Sequence, residues 1–332
     1  MKLKGLFAQS SGMTKAVLLV FIPLFFMIFT SVLTTLLCLL QGIAIESASA
    51  NQMLWMQAFQ SFTTFVLGGC LYAYLISPHP MQYLGLCGQS GSSTSSGTER
   101  NTTTPVAELV EAPGEHKRKH NLMLYVIATM AMVSLSPLIS VTALWNDGMH
   151  LPEWLQTMEQ WMRSMEEVAN DTTLTLMQGD GIGHWIACIV VMAVIPALGE
   201  EILFRGCLQK GLQNKTGNGH LAVWLTACIF SFIHFQFYGF IPRMILGVVL
   251  GYFYLYSKSL WIPIWAHFYN NASSVIAYKL FYEGGSETNL STMGAPTDLA
   301  TEWLVGMAAV SLLMYVAIQS IFVIVARNGK AQ

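Results

Sequence analysis

The chain has 332 residues, of which 54% are hydrophobic and only 10% charged, and its mean hydropathy is +0.51. A soluble protein of this length needs far more charged side chains to cover its surface, so the bilayer is the solvent against which the sequence is read. A formal net charge of -2 leaves no basic stripe for nucleic acid, and six cysteines without a CxxC pair argue against a disulfide scaffold or zinc knuckle.

Lys2, Lys4 and Lys15 precede a charge-free run from Ala16 to Ile45. That run is too long for the core of a cleaved signal peptide and reads as a retained first span. A helix rising 1.5 Å per residue needs about 20 apolar residues to cross roughly 30 Å of hydrocarbon. Windows of this kind run Ala16 to Ile43, Met53 to Ile76, Asn121 to Trp145, Ile182 to Leu208, Leu221 to Phe237, Ile241 to Tyr256, Ser259 to Tyr278 and Trp303 to Ala326. The expected fold is therefore all-α: a polytopic membrane protein of about eight transmembrane helices enclosing a cytoplasm-facing cavity. It divides into 1–120 (two spans and a cytoplasmic loop), 121–282 (the core helices) and 283–332 (an outer loop and the last span).

Eight crossings from a cytoplasmic N-terminus put Lys2, Lys4, Lys15, Arg100, Lys117, Arg118, Lys119, Lys210, Lys215, Lys258, Arg327 and Lys330 on one side. Both termini are then cytoplasmic, in a protein expected in the plasma membrane. The opposite side receives Glu46, Asp147, Glu153, Glu159, Glu166, Glu167, Asp171, Asp180, Glu283, Glu287 and Asp298, with Arg163 in its long loop. Gly88 to Thr104 lacks apolar residues to bury and reads as a flexible linker. Leu151 to Gln178 sets acidic residues among Trp154, Leu155, Met158, Trp161, Met162 and Met165 at helical spacing. This is an amphipathic helix, lying either in the membrane interface or in solvent. Gly247 and Gly251 form a GxxxG helix-contact pattern, and Arg243 reads as a snorkelling cation at the outer start of the sixth span. No internal repeat supports inverted halves.

A charge at membrane depth costs at least a few kcal/mol, so it needs a partner, a wet cavity or a task. The fourth span carries AVIPALGEEILFRG, with Pro196, Glu200, Glu201 and Arg205; the fifth carries FSFIH, Phe230 to His234; the seventh carries HFYNN, His267 to Asn271. Counted from the cytoplasmic ends, Glu200 lies roughly 10 Å deep, His267 roughly 12 Å and His234 roughly 15 to 20 Å. The three can meet in one chamber. Pro196 cannot donate to the carbonyl of Met192 and favours a kink there. Glu201 and Arg205, four apart, form an ion pair on one face, whereas Glu200 points about 100° away without a local partner, as a general base requires. His267 and Asn271, also four apart, present an imidazole and an amide to the same volume, with Asn270 as a possible substitute.

These residues resemble a known family. Glu-Glu-x-x-x-Arg, Phe-x-x-x-His and His-x-x-x-Asn, in that order, are similar to the three motifs of the CPBP intramembrane proteases, which include CAAX prenyl endopeptidases and bacteriocin-processing or immunity proteins. The resemblance covers roughly Trp185 to Tyr278. It implies an eight-helix membrane fold with a cytoplasm-facing conical cavity, in which Glu200 is the catalytic glutamate, His234 its partner in activating water, and His267 with Asn271 the oxyanion-stabilising pair. Glu201 and Arg205 match the supporting positions.

The expected reaction is endopeptidase hydrolysis near the cytoplasmic membrane face, on a CAAX-like or leader peptide, with the lipid bilayer as the other partner and no nucleic acid. No cofactor is required in this reading. The metalloprotease alternative, with zinc on Glu200, His234 and His267, lacks an HExxH motif. A proton-coupled transporter and a non-catalytic immunity or scaffold protein are the rivals from other classes. Oligomeric state is not legible.

Overall fold

A computed structural model describes residues 3–43, 48–87, 113–282 and 299–328, with backbone alone for 113–120 and 282. The Gly88 to Thr104 linker and Glu46, Glu283, Glu287 and Asp298 lie outside the described residues. The described chain is helical: α1 Gly12–Leu40, α2 Ala50–Ile76, α3 Pro80–Leu84, α4 Pro113–Asp147, α5 Gln156–Met177, α6 Ile182–Thr216, α7 Gly219–Phe232, α8 Phe240–Ser257, α9 Trp261–Ala277 and α10 Thr301–Asn328. Short polar residues start several of these helices by satisfying orphan N–H groups. Ser49 and Gln52 form a reciprocal capping box on α2, and Asn218 Oδ1 accepts from the N–H groups of His220 and Leu221 on α7. Gly217 and Lys258, both left-handed, end α6 and α8.

Six helices are long and apolar enough to cross a bilayer: α1, α2, α4 (from Asn121), α6, α8 (from Phe237) and α10. The protein is an integral membrane protein of all-α class. The fifth expected span is shorter than its hydropathy implied, because α7 stops at Phe232 after 14 residues. Phe235 then takes a left-handed φ of 53°, which ends the helix and places His234 in a turn. The seventh, α9, has 17 residues.

The core is built around α4, α8, α9 and α10, where Leu135, Leu250, Phe253, Ala266 and Phe322 are buried together. Pro137 lies inside α4 at its contact with α10, and Ser311 Oγ bridges there: it accepts from the Leu138 N–H and donates to the Ser134 carbonyl. α7 lies against α8 along Gly247 and Gly251. A Cβ at Gly247 would sit 3.0 Å from Ala227, and one at Gly251 would sit 2.9 Å from Val223. The GxxxG pattern is thus an internal helix contact.

Two ends of the bundle are distinguished by charge. Lys4, Lys15, Lys210, Lys215, Lys258 and Arg327 share one end, tied together by Gly5 N–H to Tyr74 O, Lys210 to Tyr83 O and Leu260 N–H to Gly85 O. Asp147, the acidic helix α5 and the 3-10 turn Phe237–Gly239 share the other. Among the described residues this partition matches the charge count in the sequence.

Candidate active site

α6 is not a uniform helix. Its central piece, Ile195–Glu201, lies between two π-helical stretches, Val190–Val194 and Ile202–Gln209. Such wide turns open the backbone register and frequently mark functional sites. Here they bracket Pro196, Glu200 and Glu201. The carbonyl of Met192, to which Pro196 has no N–H to give, is reached by Asn271 Nδ2 of α9 at 3.3 Å.

Glu201 faces inward, away from solvent, and bonds through one oxygen. Its Oε1 accepts from Arg205 Nη1 at 2.6 Å and from His267 Nδ1 at 2.8 Å, with both Glu201 and Arg205 at 0% exposure. Arg205 also donates through Nη2 to the carbonyl of Gly247 at 3.0 Å and lies over the Phe230 ring. One turn on, Gln209 Nε2 donates to the carbonyl of Gly251, also at 3.0 Å. The two glycines therefore let α7 approach α8 while α8 offers its carbonyls to α6, which the motif spacing alone did not reveal.

Glu200 differs from its neighbour. It makes no hydrogen bond among the described residues, and its Oε2 lies 3.8 Å from Nε2 of His267. With Nδ1 of His267 donating to Glu201, the ring is fixed so that Nε2 meets Glu200. His234 donates from Nδ1 to the Phe230 carbonyl at 2.7 Å, which leaves its own Nε2 free of that bond.

A cavity of about 250 Å³ is lined by Glu200, His234, His267, Asn270 and Asn271, together with Phe230 and Arg243. All four residues assigned catalytic roles from the sequence thus border one volume, while Glu201 and Arg205 lie behind its wall. Two details differ from the expectation. The imidazole beside Glu200 is that of His267. The amide of Asn271 is partly committed, to Met192 O and, through Oδ1, to Asn270 Nδ2 at 3.2 Å.

The cavity's position along the bundle also differs. Ile139, Gly239 and Pro242 line it, so it extends from mid-depth toward the acidic end, opposite the basic loops. Depth counting assumed that α6 ended near Cys207. The helix continues through its second π stretch to Thr216, which puts Glu200 roughly 24 Å from that end.

The turn beyond His234 is clamped from three sides. Asn146 of α4 donates to Phe237 O at 3.1 Å and accepts from the Ile241 N–H at 2.8 Å. Glu166 of α5 accepts from the Tyr238 N–H at 3.2 Å, and Arg163 lies over the Tyr238 ring, 3.9 Å from its centroid. Ser231 Oγ donates to Phe240 O at 2.6 Å. The amphipathic helix α5 is therefore part of the scaffold that aims His234.

Arg243, read from the sequence as a snorkelling residue, lines the cavity and is held by Gln236 Oε1 at 2.7 Å. A cation in the first turn of a helix opposes the helix dipole, and that mismatch was the available sequence signal. Among the described residues, no group of three His, Cys, Asp or Glu side chains converges closely enough to hold a metal ion. The Glu200, His234 and His267 set does not fit one.

Comparison with known proteins finds similarity over the stretch that carries the cavity. The family model for type II CAAX prenyl endopeptidase Rce1-like proteins matches residues 182–273. YpbD of Bacillus subtilis (strain 168), named as uncharacterized, is 30% identical over 99 residues, which is 29% of this chain and 47% of YpbD. YdiL of the same strain, provisionally named a membrane peptidase, is 30% identical over 88 residues, 26% of this chain and 36% of YdiL. The chain thus spans less than half the length of either relative. No solved structure matches it significantly. The family model's match runs from α6 through most of α9, the stretch that carries Glu200, His234, His267, Asn270 and Asn271, and over it the chain is similar to the Rce1-like proteins.

Proposed function

We propose that this protein is an intramembrane endopeptidase in which Glu200 is the general base. The observation that carries the reading is the contrast between two adjacent carboxylates. Glu201 is buried and bonded through Oε1 to Arg205 and His267, whereas Glu200 is left without a hydrogen bond at a cavity beside a fixed imidazole.

A single water can bond both Glu200 Oε2 and His267 Nε2 across their 3.8 Å separation. Glu200 takes one proton from that water while its oxygen bonds the scissile carbonyl carbon. His234 borders the same cavity and offers Nε2 as a second imidazole contact to the water. The oxyanion that forms is met by the remaining N–H of Asn271, with Asn270 and Arg243 in the same wall. Collapse of the adduct breaks the C–N bond, and Glu200 returns its proton to the leaving amine. The scheme uses no covalent enzyme intermediate and no metal. Glu201 and Arg205 position His267 and do not touch substrate.

The substrate class is a membrane-associated peptide or protein tail, of the prenylated C-terminal kind or a leader peptide. Comparative proteomics of membrane fractions tests this directly. Cells carrying the parent protein should show new C-termini that are lost with Glu200→Gln. Identical C-termini in both would remove the proposal, and activity that follows metal content under chelation would replace its metal-free chemistry.

A further inference from the structure

A second cavity, of about 370 Å³, opens at the basic end of the bundle, far from the site described above. Gly12, Lys15 and Leu19 of α1 form one wall, the ends of α2 and α3 a second, and Leu208, Leu212 and Lys215 of α6 a third. Its volume equals that of about a dozen waters at roughly 30 Å³ each.

Its lining is split in a particular way. Leu19, Ile76, Leu208 and Leu212 give it an apolar interior, and Lys15 and Lys215 line it from different helices. No acidic side chain lines it. Lys15 spends one of its three donors on the Ala8 carbonyl at 2.7 Å, which fixes the ammonium without neutralising it. A third lysine, Lys210, stacks over the ring of Tyr83, another lining residue. Every charged side chain described at this end is basic.

Topology explains why lysines gather at one end of a membrane protein, but not why two of them flank an apolar recess between helices. Basic pockets between transmembrane helices bind the headgroups of anionic lipids. Free phosphate would satisfy the ammonium groups and leave the leucine floor empty. A phospholipid satisfies both, with phosphate between the lysines and acyl carbons along Leu19, Leu208 and Leu212. α1 gives such a ligand structural consequence: only 11% of its apolar window is buried in the protein, so most of its surface is left for lipid.

We infer that the recess between α1, α2 and α6 is a binding site for one anionic phospholipid, with Lys15 and Lys215 holding the phosphate. The test uses the full-length protein in neutral detergent, titrated with phosphatidylglycerol or with phosphatidylcholine of the same chains, and counts bound lipid by native mass spectrometry. Two lysines of ordinary strength predict about a thirtyfold preference for phosphatidylglycerol. Lys15→Gln with Lys215→Gln should abolish the preference, and the corresponding pair of Arg substitutions should retain it. Arg327→Gln, at the same end but outside the recess, should leave it unchanged.

In the unaltered protein, phosphatidylglycerol should also shield Lys15 and Lys215 from acetylation more than it shields Lys258, a readout that needs no variant. Equal retention of the two lipids, an undiminished preference in the Gln pair, an equal loss in Arg327→Gln, equal acetylation with and without phosphatidylglycerol, or displacement by glycerol phosphate at the lipid's own concentration would each overturn the assignment.

Discussion

Glu200 and Glu201 are adjacent in sequence and opposite in what their removal should do. Glu201→Gln takes away the carboxylate that Arg205 and His267 both bond, and leaves a guanidinium at 0% exposure without a counter-charge. Breaking a buried pair from one side costs about 3 to 5 kcal/mol, and the acceptor oxygen that Gln retains places the expectation near the lower figure. For a chain of this size that corresponds to a fall in Tm of roughly 4 °C. Glu200→Gln removes a carboxylate that makes no hydrogen bond among the described residues, so stability should change by less than about 0.5 kcal/mol. Turnover should fall by about 10²- to 10⁴-fold, the usual worth of a general base. Thermal unfolding followed by tryptophan fluorescence in detergent, beside cleavage of a substrate identified from the membrane proteome, separates the two effects. A Glu201→Gln protein that melts within 2 °C of the parent, or a Glu200→Gln protein with more than about a tenth of parental turnover, would refute the division of roles.

Arg243→Gln should slow cleavage about tenfold or more while sparing the fold, because the side chain borders the cavity and its hydrogen bonds among the described residues go to Gln236. Unchanged kcat and KM would place it outside the reaction. In a background without the exposed thiols Cys87 and Cys228, Phe235→Cys should react with a membrane-impermeant reagent from the same side as Trp154→Cys and the opposite side from Lys215→Cys. Labelling of Phe235→Cys and Lys215→Cys from one side would contradict the placement of the cavity. Glu159 is held down to about 2, first by the Leu151 N–H that donates to it, then by His150, with Arg163 contributing. A carboxylate depressed from its ordinary 4.5 contributes stability that is full above that value and lost as pH falls toward about 2. Amide exchange at Leu151, corrected for its intrinsic rate, should therefore be steady from pH 7 to 5 and accelerate below pH 4.5; protection that persists to pH 2 would argue against the bond.

The sequence by itself determined the solvent and the helical class, and it singled out the polar residues that border the cavity. Apolar windows of bilayer length leave no alternative to helices, because a backbone in hydrocarbon must satisfy its own hydrogen bonds. Four-residue spacing also made Glu201 the partner of Arg205 and left Glu200 over, since side chains four apart share a helix face and adjacent ones do not. What one-dimensional periodicity cannot hold is the meeting of different helices. That Glu201 also bonds His267, that Gly247 and Gly251 lend carbonyls to Arg205 and Gln209, and that Asn271 takes up the Met192 carbonyl are contacts between residues 42 to 79 positions apart. The end of α7 was equally hidden, because the turn at Phe235 interrupts a run that hydropathy reads as continuous. Only the packed structure placed the cavity toward the acidic end, since depth along a helix depends on where its π turns and termini fall, and those are set by neighbouring helices.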